Sequence, residues 1–339
     1  MRAFACPTCQ HLVFFHNSVC LHCQSPLGYD PDAATIVVMD PRRQCANITL
    51  AACNWLTAPV GRNGTGALCR CCALTRTRPH PNDGPAVAMW ADVESAKRRL
   101  VYQLLDLGLP IDTLKFDLLS SADGPVVTGH RDGVITIDLA ESDDAHREQV
   151  RTHLGEAYRT VLGHLRHEVG HYYWPILVRN DRLPACRSLF GDDQVDYTNA
   201  LHHHYERGPE PDWQEHHVSA YATMHPWEDW AETFAHYLHI RDALQTAGSF
   251  GLRAFGPVPV PTAAADDLVA TPRPDVGAAL ATIDALVTDW LALSYALNAM
   301  NRSMGKDDLY PFVLAPPVIA KLGFVHELVG SVRNRTVNR

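Results

Sequence analysis

Nine of the ten cysteines lie between Cys6 and Cys72, and this crowding constrains the fold more than any other feature of the 339-residue chain. The first four form two C-x-x-C pairs, Cys6-Pro-Thr-Cys9 and Cys20-Leu-His-Cys23. Two such knuckles can place four thiolates tetrahedrally around one Zn²⁺. No apolar signal segment precedes them, so disulfides are the poorer use of these thiols. A looser set follows: Cys45, Cys53, Cys69 and Cys72, with Cys71 as the spare in Cys69-Arg70-Cys71-Cys72. This set is expected to hold a second structural zinc, with His22 and His80 as less favoured substitutes. A cysteine-rich region of about 80 residues has little core of its own, so metal binding would supply its folding energy. The sequence therefore divides into a zinc-stapled unit, residues 1–80, and a larger domain, residues 85–335.

Past Pro85 the cysteines nearly vanish and helical periodicity begins. Val93, Lys97, Leu100, Leu104 and Leu107 repeat at three and four, a helix that stops near Gly108-Leu109-Pro110. Leu114, Phe116 and Leu118 alternate with polar residues, as do Ile135, Ile137 and Leu139, with turn signals at Asp123-Gly124-Pro125 and Asp132-Gly133. A small antiparallel sheet is expected, its strand at 134–139 presenting a free edge to an extended peptide. It should feed one long helix from His146 to Trp174, with further helices after it and a loop over residues 249–275.

With 46% hydrophobic and 20% charged residues the chain can bury a large core. The formal net charge is −9, and the only charged side chains in residues 1–85 are seven arginines and four aspartates, so the remainder is strongly acidic. That disfavours wrapping a nucleic-acid backbone. The most apolar long stretch, Val276 to Met300, is interrupted by Asp284 and Asp289, which argues against a membrane span and for a cytoplasmic protein.

Within the expected long helix stands His167-Glu168-Val169-Gly170-His171. Histidines at i and i+4 sit one turn apart, so both imidazoles can reach one Zn²⁺, and Glu168 can take a proton from its water. With 19 histidines and 11 glutamates in the chain, about 0.03 such motifs would arise by accident. Leu154, Tyr158, Val161, Leu165, Val169 and Tyr172 form an apolar stripe from which both histidines point away. His164 shares their face but lies seven residues from His171, about 10 Å along the axis, too far for one ion. A catalytic zinc needs a third protein ligand. Trp174 and Leu177 occupy the positions where a metzincin pattern would place Gly and His. A glutamate from a second helix, His225-Pro226-Trp227-Glu228-Asp229-Trp230-Ala231-Glu232-Thr233-Phe234-Ala235-His236, remains, with Glu228 and Glu232 on one face.

HExxH followed at a distance by Glu232-Thr233-Phe234-Ala235 resembles the gluzincin metallopeptidases. More closely, the chain resembles a bacterial family of zinc-binding metallopeptidases with an N-terminal zinc-ribbon-like region. The resemblance rests on the C-x-x-C pairs, Leu27-Gly28-Tyr29, Cys53-Asn54-Trp55-Leu56, the HExxH motif and His225 to Glu232. It implies an α+β fold: a mostly helical, zincin-like metallopeptidase domain with a small antiparallel sheet, preceded by a small cysteine-rich zinc-ribbon domain. It also implies His167, His171 and Glu232 as ligands and Glu168 as general base, with Glu228 competing for the ligand role. The cofactor would be one catalytic zinc beside one or two structural ones.

Tyr221 and His225 are candidate oxyanion donors, and Asp229 and His236 candidate partners of the ligands. The clusters His202-His203-His204 and Glu215-His216-His217 read as helix surface. The expected activity is hydrolysis of a peptide or protein substrate, with the zinc ribbon available to recruit a protein partner. The alternative is a catalytically silent, zinc-stabilised binding or regulatory module. A protease acting on DNA-bound proteins is a third reading, weakened by the acidic body.

Overall fold

A computed structural model describes residues 2–59, 66–154, 159–179, 181–254 and 282–337. Strands β1 (Phe4–Ala5) and β2 (Leu12–Val13) form a short antiparallel ladder, and β3 (Leu27–Asp30) pairs antiparallel with β4 (Thr35–Val38). Each C-x-x-C pair closes in the same way. The amides of Gln10 and Gln24, the residues just after each pair, bond back to the carbonyls of Cys6 and Cys20 at 2.9 and 2.8 Å. Both glutamines take positive φ, 63° and 59°, which the tight knuckle requires.

This module is not free-standing. Phe15, Tyr29 and the fully buried Trp55 pack together and against Tyr102 of helix α1 (Gly84–Asp106), with Phe15 and Tyr102 rings 5.0 Å apart. Asp83 caps α1 by accepting from the Ala86 amide. The helix buries Trp90, Val93, Leu100 and Leu104 as the periodicity implies, and also Lys97, whose ammonium is paired with Glu94 at 2.6 Å.

The four-stranded sheet runs β5 (Thr75–Thr77), β6 (Lys115–Leu119), β8 (Val134–Asp138), β7 (Gly129–Arg131) in spatial order. It is mixed rather than antiparallel: β5–β6 and β6–β8 are parallel, and only the β7–β8 hairpin is antiparallel. Helix α1 is the crossover that makes β5 and β6 parallel. The hairpin turns through Asp132 and Gly133, both at positive φ, as a two-residue Asp-Gly turn demands. The expected edge at 134–139 is therefore internal, and β7 holds the border instead.

The single helix expected from His146 to Trp174 is two: α2 (Asp144–Leu154) and α3 (Val161–Leu177). Thr160 is extended and its hydroxyl accepts from the Gly163 amide at 3.0 Å, a cap that restarts the helix. Tyr158 lies outside the described residues. Leu165, Val169 and Tyr172 of the proposed stripe are buried. Next come α4 (Leu183–Phe190), α5 (Tyr197–Arg207), α6 (Pro226–Ser249), α7 (Ile283–Ser303) and α8 (Pro316–Val337). Most of the expected 249–275 loop lies outside the described residues.

Helices α3 and α6 form the main helix pair. They touch at Gly170, where an added Cβ would lie 2.8 Å from the Ala231 Cα, and the Trp230 indole N–H donates to the Gly170 carbonyl at 2.8 Å. Helix α8 supports α6 from behind: Lys321 Nζ donates to Asp229 at 2.6 Å and to the His216 carbonyl at 2.7 Å. Among the described residues no helix is long and apolar enough to cross a membrane.

Candidate metal centres

The cysteine knuckles bring Cys6, Cys9, Cys20 and Cys23 together, with Sγ atoms 3.7 Å apart between Cys6 and Cys23 and between Cys9 and Cys20. Cys45, Cys53, Cys69 and Cys72 make a second, fully buried group: Cys53 Sγ lies 3.7 Å from Cys69 Sγ and 3.6 Å from Cys72 Sγ. Four sulfurs about 2.3 Å from a tetrahedral zinc would be about 3.8 Å from one another. Both groups fit that ion. Within the second group, hydrogen bonds from Cys53, Cys69 and Cys72 drive the Cys45 thiol far down, while Cys53 and Cys69 are pushed well up. Cys72 is lowered with Cys45, so the four buried sulfurs compete for negative charge, which a dication would relieve at all four. Cys71 is buried but outside the group. Glu94 lies beside it, its Oε2 3.8 Å from Cys72 Sγ.

The third site forms where α3 crosses α6. Gly170 lets the helices close, and the residues one turn before it and next after it, His167 and His171, face Glu228 and Glu232 of α6. His167 Nε2, His171 Nε2 and Glu228 Oε2 converge, at 3.1 Å between the two nitrogens and 3.0 and 3.3 Å from His167 and His171 to the carboxylate oxygen. Ligand atoms about 2.0–2.1 Å from a tetrahedral zinc would be about 3.3 Å apart. The Glu228 Oε2 atom is buried and makes no ordinary hydrogen bond. The donor set, two imidazoles and one carboxylate, therefore fits a zinc ion with one position open.

The expected third ligand stands apart from this arrangement. Glu232 does not join the converging set. Its Oε1 lies 2.6 Å from His167 Nδ1, on the opposite edge of the ring, and its Oε2 accepts from Ser219 Oγ at 2.6 Å. The two glutamates share a face of α6, but the crossing at Gly170 and Ala231 puts the first of them level with both Nε2 atoms and the second behind one ring. Glu232 is suited to fix the His167 tautomer, with Nδ1–H donating outward and the Nε2 lone pair turned inward. Burial opposes charge on His167, yet the Glu228 and Glu232 carboxylates that face its ring nitrogens raise its pKa well above the usual imidazole range. The Glu228 carboxylate is correspondingly held far down against its burial.

Glu168 points beside the triad with its Oε2 buried and without a hydrogen-bond partner. Against desolvation, His164 and the charges of His167 and His171 lower its pKa and keep it ionised. Tyr221 lies by the site, its ring 6.0 Å from that of His167, and burial with the Glu228 charge pushes its phenol far above its ordinary value. His225 does not: it is the N-cap of α6, Nδ1 accepting from the Trp227 amide at 3.0 Å and Nε2 lying 3.0 Å from the Val195 carbonyl, so neither nitrogen is free for an oxyanion. Asp229 faces away toward Lys321, tying α6 to α8. His236 stands behind Glu232, but its Nδ1 pairs with the Tyr310 hydroxyl at 2.8 Å.

Several contributors were not foreseen from the sequence. Tyr197, the first residue of α5, donates its hydroxyl to Glu228 Oε1 at 2.9 Å. Trp227 lies on His171, ring centroids 4.1 Å apart. Both also line a cleft of about 300 Å³ with Trp174, Asp193, Val195 and His225. Ser219 sits in a loop of no regular pattern, and nothing in the spacing of Tyr197 or Ser219 marks them. Trp227 adjoins Glu228 but lies about 100° around the helix from it, so spacing did not mark it either.

Comparison with known proteins agrees with this layout. Residues 86–328 match the family described as "Putative zinc-binding metallo-peptidase", and residues 3–83 match a zinc-ribbon domain. Uncharacterized proteins of Mycobacterium bovis and Mycobacterium tuberculosis are 48% identical over 345 residues, covering 98% of this chain and 96% of theirs. No solved structure matches.

Proposed function

The chain belongs to this family of zinc-binding metallopeptidases, and on that premise we propose that it hydrolyses peptide bonds at the centre between α3 and α6. His167, His171 and Glu228 hold the zinc, Glu168 is the general base, and Glu232 with Ser219 orients His167. The observation that carries the reading is the convergence of two Nε2 atoms and one carboxylate oxygen, mutually 3.0–3.3 Å apart, beside a carboxylate with one partner-free oxygen.

A zinc ion held by these three residues would supply Lewis acidity and lower the pKa of an attacking water toward neutrality. Glu168 Oε2 would take a proton from the water that adds to the scissile carbonyl carbon, and return it to the amide nitrogen as the C–N bond breaks. Tyr221, kept protonated, donates to the oxyanion that develops. Tyr197 holds the outer oxygen of Glu228 and so its inward one. The cleft beside Trp227 takes a substrate side chain. Its aromatic walls favour an apolar or aromatic residue, because the carboxylate of Asp193 is already occupied by Arg187 at 2.6 Å.

The two cysteine tetrads would hold structural zincs, since four thiolates leave no open position. The test is zinc-dependent cleavage of a peptide library by wild type and Glu168→Gln. A fall of about 10²–10⁴-fold with unchanged zinc content is expected. Wild-type protein that binds its full zinc and cleaves nothing would transfer the weight to a silent binding module.

A further inference from the structure

His164 has no place in the metal triad, yet its side chain lies between two carboxylates. It stands one turn before Glu168 on α3, with Nε2 3.4 Å from Glu168 Oε1 and Nδ1 3.7 Å from Glu141 Oε1. Glu141 belongs to the 3-10 turn Leu139–Ser142 that follows β8, and its carboxylate is gripped by Arg159 at 2.5 and 3.3 Å. All this is shielded: the side chains of Glu141 and Glu168 are 7% and 6% exposed and that of His164 20%. The result is a chain of alternating charge, Arg159, Glu141, His164, Glu168, running from the sheet to the edge of the metal centre.

We propose that His164 is the positioning residue for Glu168: the imidazole faces Oε1 across 3.4 Å, with Glu141 on its far side at 3.7 Å, so that Oε2 is the oxygen presented to the reacting water. The inference rests on the peptidase reading and deepens it. The two oxygens of Glu168 are already distinguished in the structure, since Oε1 faces His164 while Oε2 is buried without a partner. Three other facts exclude simpler roles. His164 and His167 ring centroids are 6.4 Å apart, so His164 is not a ligand. Its neighbours on both sides are carboxylates rather than apolar groups, so it is not filling a core. Burial opposes charge on the ring, but Glu141 and Glu168 outweigh it and raise its pKa to about 9, so both carboxylates favour the protonated ring.

A carboxylate that loses the group facing one of its oxygens is free to rotate, which turns Oε2 away from the water. The loss therefore belongs to the chemical step, not to substrate or metal binding. The experiment compares zinc-loaded wild type, His164→Gln and His164→Leu on one cleaved peptide. His164→Leu is expected to lower kcat about 10–100-fold, with KM and zinc content unchanged. His164→Gln, whose amide can still donate to Oε1, should recover most of that loss. Equal falls for both variants, or a Leu variant within twofold of wild type, would overturn the proposal.

A second readout needs no turnover. In ¹⁵N-histidine spectra of the zinc-loaded protein, Glu168→Gln should move the His164 ring resonances and lower their titration midpoint. Unmoved resonances would mean that no working contact exists. Absence of any cleavage by wild type would overturn the peptidase reading instead, which keeps the two failures apart.

Discussion

The cysteine tetrads and the histidine–glutamate centre are both sets of side chains suited to hold a metal ion, but they are built on opposite principles. Each tetrad is assembled from short chain segments, and the first needs only residues 6–23. Its knuckles fix their own geometry through a backbone turn, so little beyond the local sequence is needed. The centre is assembled from two helices whose motifs are more than 50 residues apart, and its third donor is set by where those helices cross. A tetrad is complete and closed. The centre has three donors and a base waiting beside them. Local assembly yields a staple, and distant assembly yields a site whose geometry the whole domain must maintain.

The largest expected effect separates staple from site. Cys53→Ser should lower the zinc count by one and dismantle the N-terminal module, because structural zinc contributes on the order of 10 kcal/mol to folding of such small units. Limited proteolysis within residues 1–83 and loss of the near-ultraviolet signal of buried Trp55 would report it. His171→Ala should also remove one zinc while leaving that module and its proteolytic resistance intact. If both variants unravelled the same region, the contrast between the two kinds of centre would fail.

Next in size is the division of labour on α6. Glu228→Gln should strip the centre of its zinc under competition with a mild chelator, whereas Glu232→Gln should weaken it by about 10–100-fold, the usual cost of losing a carboxylate behind a ligating histidine. Zinc affinity measured by chelator competition decides the matter. A larger loss in Glu232→Gln would restore that residue as the ligand and refute the geometry at His167.

The same pair of residues shows how far the sequence could be read. The first tetrad was legible because C-x-x-C spacing is itself the geometry, whereas in the second only Cys69 and Cys72 have that spacing. His167, Glu168 and His171 were legible because 3.6 residues per turn puts i and i+4 together. Glu228 against Glu232 was not. Both lie on one helical face, and choosing between them requires the depth at which α6 crosses α3, a tertiary quantity. The restart of the helix at Thr160 was missed for a different reason. The apolar stripe continues through the break, and a single threonine cap is a weak signal beside it. The internal position of β8 followed from pairing partners that alternation cannot name.

A smaller effect probes the crossing itself. Gly170→Ala would set a methyl carbon 2.8 Å from the Ala231 Cα and 3.1 Å from its carbonyl oxygen, both backbone atoms that cannot swing aside. Forcing the helices apart should cost about 1–3 kcal/mol, as overpacking of a core does. Because the crossing positions Glu228, zinc at this centre should bind more weakly while both tetrads stay filled. A destabilised variant with an unchanged affinity would show that the triad tolerates a shift of α6, and that the crossing is a matter of packing alone.

The smallest effect is expected at Cys71, and it tests the membership of the second tetrad. Its backbone is used, the carbonyl accepting from the Leu74 amide at 3.1 Å as the 3-10 turn begins. Its thiol is not: burial pushes it well above the ordinary cysteine value, and it stays outside the converging group. The reason is register. Cys69 and Cys72 are three apart and fold back onto one point, as the two N-terminal pairs do, whereas Cys71 is turned away by its position between them. Cys71→Ala should therefore cost about 1 kcal/mol for a small buried cavity, with zinc content and cobalt–thiolate absorption unchanged. Cys72→Ala should lose both. A drop in zinc on replacing Cys71 would mean that the neighbouring cysteines exchange roles, and that the closed site is less singular than the open one.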